Sequence, residues 1–185
     1  MYSETSKRTR IYLTGFMGSG KSTIGPILAN CLGYDFVDLD REIEIEEGDS
    51  IAQIFRQRGE EYFRRKEKEW ILRVCIRPHT VVSLGGGALV DPENRHLVRQ
   101  SGLLIYLELT PGQLFERLSR QIHRPLLTDE RGRFLRGAQL RDRIEQLYRE
   151  RHGLYENADL TVASEQAGVG ITVDRILKKI SPLVE

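Results

Sequence analysis

The chain has 185 residues, of which 39% are hydrophobic and 30% are charged, a balance typical of a soluble globular protein. Its 28 basic and 27 acidic side chains give a net charge of +1, so no overall field favours nucleic acid. The apolar runs are far shorter than the ~20 residues of a membrane span, and residues 1–10 lack the apolar core of a signal peptide. Cys31 and Cys75 have no metal-ligand spacing and are expected to be reduced thiols. We therefore expect one cytoplasmic domain over residues 1–185, with no membrane or nucleic-acid partner.

The first predicted strand, residues 11–14, leads into a glycine-rich loop. The loop has the spacing Gly15-x4-Gly20-Lys21-Ser22 and precedes a helical pattern over residues 21–32. Glycines at these positions let backbone N–H groups converge on a phosphate at the positive end of a helix. Lys21 can reach the β- and γ-phosphates, and the Ser22 hydroxyl can ligate Mg²⁺. This stretch predicts a site for a nucleoside triphosphate.

Two carboxylates follow the second predicted strand, residues 34–37. If the strand continued, alternation would place Asp38 and Asp40 on the same side. Asp38 could then hold a magnesium-bound water, while Asp40 could orient an acceptor hydroxyl or accept its proton. The simpler alternative is that Asp40 only caps the following helix.

A helix capped by Ser50 is predicted to end at Gly59, and a second helix is predicted over residues 60–77. On the second helix Arg64 and Glu67 are three residues apart, so the carboxylate can hold the guanidinium on the helix surface. Surface charge is the usual explanation for an arginine pair such as Arg64-Arg65.

Three consecutive glycines, Gly85 to Gly87, follow the third predicted strand, residues 80–84. They could allow backbone N–H groups to approach a ligand closely, or they could form a turn that needs positive φ. The sequence leaves both explanations open.

Residues 119–137 form a polar, arginine-rich segment without helical or strand periodicity. Such a segment predicts a mobile lid, from which Arg124 could swing over the phosphates and neutralise developing charge. A helical stretch follows it. Most of its four arginines are expected to form a solvated face: Arg141, Arg143, Arg149 and Arg151.

Strand-like and helical segments alternate along the chain, with further strands predicted at residues 103–107 and 160–162. This alternation predicts a three-layer α/β/α fold around a central five-stranded parallel sheet of the P-loop NTPase type, with its site at the carboxyl ends of the strands.

These stretches together resemble the shikimate kinase family, a small branch of the P-loop nucleoside monophosphate kinase-like group. The similarity runs from about residue 10 to about residue 159 and rests on seven motifs. They are Gly15–Thr23, Asp38–Asp40, Ile51–Phe55, Phe63–Glu67, Leu84–Gly87, Arg124–Leu127 and Arg151–Tyr155. The resemblance implies ATP- and Mg²⁺-dependent phosphorylation of the 3-hydroxyl of shikimate, in the chorismate route to aromatic amino acids. We expect the protein to be a monomer.

The resemblance also implies roles for individual residues. Catalysis is expected from Lys21, Asp40 and Arg124, and metal binding from Ser22 and Asp38. The ATP site is expected to comprise Gly18, Ser19, Gly20, Lys21, Ser22, Thr23, Arg117 and Arg124. The substrate site, within about residues 38–66 and beyond, is expected to comprise Asp40, Phe55, Arg64, Gly85, Gly86, Gly87 and Arg151. In this set Asp40 would hold the ring hydroxyls, and Arg64 and Arg151 the carboxylate.

Two stretches depart from the family pattern. Residues 124–151 are longer than in compact members, and the segment after the last strand lacks the usual Arg or Asn and Pro, which leaves Gln166 as the candidate adenine contact. Three other classes of protein share part of this pattern. A gluconate kinase would have less reason for the substrate set, and a GTP-dependent switch would need an Asn-Lys-x-Asp segment, which is absent. A catalytically dead relative should have lost Lys21, Asp40 or a substrate arginine, and all of these are present.

Overall fold

The computed structural model describes residues 8–120, 125–129, 132–164 and 168–184. Its centre is a five-stranded sheet in the order β2-β3-β1-β4-β5, with every pair of neighbours parallel. The strands are β1 (Arg10–Thr14), β2 (Asp35–Asp38), β3 (Thr80–Ser83), β4 (Leu103–Glu108) and β5 (Leu160–Ala163). Each predicted strand is confirmed to within one residue at either end.

Helices cover both faces of this sheet. They are α1 (Lys21–Leu32), α2 (Leu39–Glu47), α3 (Ile51–Val74), α4 (Pro92–Ser101), α5 (Pro111–Leu118), α6 (Gly137–Glu156) and α7 (Val169–Ile180). Alternate residues of β1 enter different cores: Ile11 and Leu13 pack with α1 and α7, while Tyr12 packs on the opposite face. The α/β/α architecture is therefore confirmed. Within the described parts of the chain, no helix has the length and apolar character needed to cross a bilayer.

Helix α3 is interrupted at Gly59. Ser50 caps its start, as the sequence predicts, and it forms a capping box with Gln53. Gly59 has φ 83° and ψ 167°, which no helical residue adopts, so the segment consists of two helices in succession. The predicted helix end at Gly59 is confirmed, whereas the second helix ends at Val74 and not at residue 77.

The alternation argument for the two carboxylates is wrong. Strand β2 ends at Asp38, and α2 begins at the next residue, so Asp40 lies on a helix. Asp38 is the residue that caps α2, because its Oδ1 accepts a hydrogen bond from the Arg41 N–H at 3.4 Å. Asp40 is therefore not the cap, and it lines the two cavities described next.

Candidate active site

The glycine-rich loop joins β1 to α1 at the carboxyl edge of the sheet. Gly15, Gly18 and Gly20 all have positive φ, of 140°, 81° and 101°. This conformation is one that L side chains rarely adopt, which explains glycine at these three positions. Lys21 is buried, and its Nζ donates to the carbonyl oxygens of Gly15 at 2.8 Å and Phe16 at 3.2 Å. The loop thus curls around the ammonium group that the sequence assigns to phosphate binding.

A cavity of about 670 Å³ opens beside this loop, a volume within the usual range for small-molecule sites. It is lined by six of the predicted ATP-binding residues: Gly18, Gly20, Lys21, Ser22, Thr23 and Arg117. Ser19, a seventh, is buried behind the loop, where its carbonyl accepts a hydrogen bond from Ser164 Oγ at 3.1 Å. We refer to this space as the nucleotide cavity.

Arg117 connects the loop to the last strand. Its Nη1 donates to the Gly18 carbonyl and its Nη2 to the Ser164 carbonyl, both at 3.2 Å. Since Ser164 directly follows β5, the guanidinium joins the loop that lines the nucleotide cavity to the end of the last strand. Gln166, two residues further on, lies outside the described residues, and so does Arg124.

A second cavity, of about 370 Å³, adjoins the first. All seven predicted substrate residues line it: Asp40, Phe55, Arg64, Gly85, Gly86, Gly87 and Arg151. Three residues, Met17, Asp40 and Gly86, line both cavities. Asp38 is not among the described residues that line either one. We call the second space the acceptor cavity.

Glu67 is the buried acid of the acceptor cavity. Its carboxylate accepts from Arg64 Nη1 at 2.8 Å, which confirms the predicted pairing. Burial raises the pKa of the Glu67 carboxyl to about 7, although the Arg64 charge acts in the opposite direction. Its Oε1 has no hydrogen-bond partner among the described residues. Spacing alone indicated the pair but not this burial, because helical spacing does not say which face of α3 meets the sheet.

Each of the three consecutive glycines lies against a different functional group. A Cβ on Gly85 would clash with Glu67 Oε1 and come within 2.9 Å of Asp40 Oδ1. A Cβ on Gly86 would lie 3.3 Å from the Met17 nitrogen, and one on Gly87 would lie 2.6 Å from Arg64 Nη2. None of the three has positive φ. The turn explanation is therefore wrong, and close approach is the reason for glycine here.

Helix α6 supplies a buried arginine to the acceptor cavity. Arg151 is only 8% exposed, and its Nη1 donates to the Gly86 carbonyl at 3.2 Å. The expectation of a solvated face holds for Arg141 and Arg149, which are exposed. It is wrong for Arg143, whose Nε donates at 3.2 Å to the carbonyl of Leu126, a lining residue of the acceptor cavity.

Sequence reasoning missed several lining residues of the acceptor cavity. Pro125 and Leu126 border it from the short 3-10 turn Pro125–Leu127, and Glu44 borders it from α2. Glu44 Oε1 accepts from the Ile51 N–H at 2.9 Å and so joins α2 to the start of α3. In the sequence Glu44 is one of several acids on a charged helix, between Ile43 and Ile45, and this pattern gives no sign of a cavity.

A family model described as shikimate kinase matches residues 17–181, nearly the whole described structure. The chain belongs to the shikimate kinase family. Among curated relatives, the shikimate kinase of Chlorobium chlorochromatii is 48% identical over 92% of this chain and 90% of its own length. The enzyme of Chlorobium phaeobacteroides is 44% identical over 94% of this chain and 92% of its own length.

Solved structures of shikimate kinases agree with the sequence matches. The Acinetobacter baumannii enzyme, in complex with shikimate, has a TM-score of 0.85 and 33% identity, covering 95% of this chain and 94% of that one. The Bacteroides thetaiotaomicron enzyme has a TM-score of 0.83 and 30% identity, covering 94% of this chain and 98% of that one. A gluconokinase from Sinorhizobium meliloti has a TM-score of 0.58 at 20% identity, a likeness that concerns the fold alone.

Proposed function

We propose that this protein transfers the γ-phosphate of ATP to the 3-hydroxyl of shikimate. The observation that carries the proposal is the meeting of Asp40, Arg64 and Arg151 in one cavity that adjoins the phosphate loop. Shikimate is a hydroxylated ring that bears a carboxylate, so it offers both hydroxyls and a negative charge to such a cavity. The relative solved with shikimate bound belongs to the same family.

The two arginines are suited to the carboxylate. A guanidinium presents a planar fork of N–H donors that matches a carboxylate in a bidentate manner. In Arg64 the fork is pre-oriented, because Glu67 and Glu60 each accept from it at 2.8 Å. In Arg151 it is oriented by the Gly86 carbonyl. Holding both groups in place before the ligand arrives lowers the entropic cost of binding.

Asp40 is the proposed contact for the acceptor hydroxyl. It lines the acceptor cavity and the nucleotide cavity alike, so its carboxylate can orient a hydroxyl towards the transferring phosphate. Lys21, at the base of the nucleotide cavity, would stabilise negative charge on the phosphate oxygens once it leaves the carbonyls of Gly15 and Phe16.

The oxygen donors between the cavities are suited to Mg²⁺. The Ser22 hydroxyl and the Asp40 carboxylate line the same space, and Mg²⁺ is usually bound by one or two protein oxygens together with phosphates and waters. We propose Ser22 as the direct protein ligand. Asp38 is not one of the described residues that line this cavity, so we propose that it acts on the ion only through a water. When bound, the ion would neutralise charge on the phosphates.

The remaining assignments extend this proposal. Arg124 is proposed to cover the phosphates from a lid over residues 119–137, which would exclude water as a competing acceptor. Gln166 is the proposed adenine contact. We also propose that the enzyme works as a cytoplasmic monomer.

A charge-removal experiment tests the substrate. Each charge-assisted contact contributes about 1.5–3 kcal/mol, so Arg64→Ala or Arg151→Ala should weaken shikimate binding by roughly ten- to a hundredfold. ATP binding should hardly change, because the phosphates are held by the loop. Replacing the shikimate carboxylate by a neutral amide should weaken binding to the wild type strongly, and to the two variants much less.

Arg65 is the matched control for the arginine variants. It neighbours Arg64 on α3 but is exposed, with its guanidinium over the ring of Tyr62 at 5.4 Å. Arg65→Ala should bind shikimate almost normally in a coupled assay or by calorimetry. Equal damage from Arg65→Ala and Arg64→Ala, or an undiminished amide penalty in the variants, would contradict the choice of shikimate while leaving the kinase assignment intact.

A further inference from the structure

The Gly86 carbonyl has two donors from the same helix. Arg151 Nη1 donates to it from one position on α6, and the Tyr155 hydroxyl donates to it from one turn further along. A carbonyl oxygen has two lone pairs, so both bonds can be held at once. The peptide that follows Gly86 is thereby fastened to α6 at two points.

Gly86 is also confined from the opposite side. A Cβ added to it would lie 3.3 Å from the Met17 nitrogen and 3.6 Å from the Gly15 carbonyl, so its backbone packs on the phosphate loop. The same residue lines both cavities. The orientation of this single peptide therefore affects the wall of the acceptor cavity and the place where the two cavities meet.

Tyr155 is suited to be a permanent donor. It is 1% exposed, its ring lies 5.3 Å from that of Tyr106, and burial raises the pKa of its hydroxyl to about 12. The hydroxyl therefore keeps its proton across the working range of an enzyme, and the Gly86 carbonyl is its acceptor. A buried ring needs no such bond for packing, since phenylalanine offers almost the same shape.

We infer that the Tyr155 hydroxyl is a positioning group for the acceptor substrate: it holds the Gly86 peptide, and through the shared carbonyl it fixes the guanidinium of Arg151. This inference rests on the proposed function, because shikimate is the ligand whose carboxylate Arg151 would bind. Without the hydroxyl the Gly86 carbonyl keeps Arg151 as its remaining donor from α6. The guanidinium of Arg151 would then move together with the Gly86 peptide, and its N–H donors would no longer be held in one orientation.

The test is Tyr155→Phe, which removes the hydroxyl and keeps the ring. Loss of one buried hydrogen bond that orients a binding group should raise the KM for shikimate by about three- to tenfold. The KM for ATP should stay within twofold, since the loop and Arg117 are unaffected. A role in general stability would instead lower the melting temperature and leave the ratio of the two KM values unchanged.

Tyr106→Phe is the matched control. Tyr106 is equally buried in the same aromatic cluster, but its hydroxyl lies 3.5 Å from His152 Nδ1 and does not touch Gly86. This variant should keep both KM values. If Tyr155→Phe also keeps the wild-type KM for shikimate, the inference is overturned. Loss of the fold in Tyr155→Phe, with Tyr106→Phe intact, would overturn it as well, because the hydroxyl would then serve the structure as a whole.

A double-mutant cycle examines the shared acceptor directly. In an Arg151→Ala background, Tyr155→Phe should raise the KM for shikimate by a smaller factor than it does in the wild type, because the guanidinium that it fixes is gone. Additive effects would contradict a link through the Gly86 carbonyl. The cycle also separates this inference from the proposed function: if the wild type does not phosphorylate shikimate, the function fails, whereas additivity in an active enzyme removes only the role of Tyr155.

Discussion

The guanidinium of Arg64 lies directly against the Cα of Gly87, so that an added methyl group would come within 2.6 Å of Nη2 and 2.9 Å of Nη1. The end of an arginine side chain can move at little cost to the fold. Gly87→Ala should therefore leave the melting temperature nearly unchanged and raise the KM for shikimate by about tenfold, since the displaced Arg64 loses much of a charge-assisted contact. Gly170→Ala, in α7 where an added Cβ meets nothing within 4 Å, is the control. A normal KM in Gly87→Ala would show that this position of Arg64 is not the binding one.

Lys21→Met tests the phosphate loop. Methionine has a similar length but no charge, so phosphoryl transfer should fall by at least about a hundredfold, while the fold survives. The measurement is kcat in a coupled assay together with a melting curve. A folded variant that turns over at nearly the wild-type rate would contradict the role given to the ammonium group.

Asp40→Asn and Asp38→Asn should differ. Asp40→Asn should lose turnover by about a hundredfold or more and keep ATP affinity, because the proposed contact of Asp40 is the acceptor hydroxyl. Asp38→Asn should keep the α2 cap, since asparagine caps as well as aspartate, and should shift the Mg²⁺ concentration needed for half-maximal rate. Titrations of Mg²⁺ with both variants check this, and identical metal dependence would refute the division of roles.

The free energy of unfolding should fall as the pH rises, because the buried Glu67 carboxyl then loses its proton. The folded-state pKa of about 7 lies above the ordinary value of 4.5, so between these values the folded protein binds more protons than the unfolded chain. Stability from this group is therefore full below about pH 4.5 and declines towards pH 7. Relative to Glu67→Gln, which does not titrate, the wild type should lose about 2–3 kcal/mol of unfolding free energy across this window. Denaturant unfolding at pH 4.5, 5.5, 6.5 and 7.5 measures it, and parallel curves for the two proteins would contradict the burial argument.

The phosphate loop and the strands could be predicted because their signals are local. A glycine at Gly15 or Gly20 is required by the backbone of the loop itself, and each strand is an apolar run bounded by breakers. The residues predicted to bind the substrate in the acceptor cavity came from the resemblance to a family. The family motifs name Arg64 and Arg151 but do not say what orients them.

The orienting contacts could not be predicted because they join residues far apart in the sequence. Tyr155 and Gly86 are 69 residues apart, and Arg143 and Leu126 are 17 residues apart. The carboxylates after β2 show a different limit. Asp40 lines the acceptor cavity from a helix and not from a strand, because β2 ends one residue before α2 begins and the sequence does not locate that step.

The hydrogen bond from Ser164 to Ser19 joins a loop that is synthesised early to a residue that is synthesised late. The loop from Gly15 to Thr23 leaves the ribosome early, yet its carbonyls at Ser19 and Gly18 depend on Ser164 and on Arg117, which itself also reaches Ser164. Domains fold as units as the chain emerges. Here the loop that follows the first strand is completed by Ser164, which follows the fifth strand. A nascent chain that has not reached the end of β5 therefore has the phosphate-loop sequence but lacks the hydrogen bonds that join Ser164 to Ser19 and to Arg117.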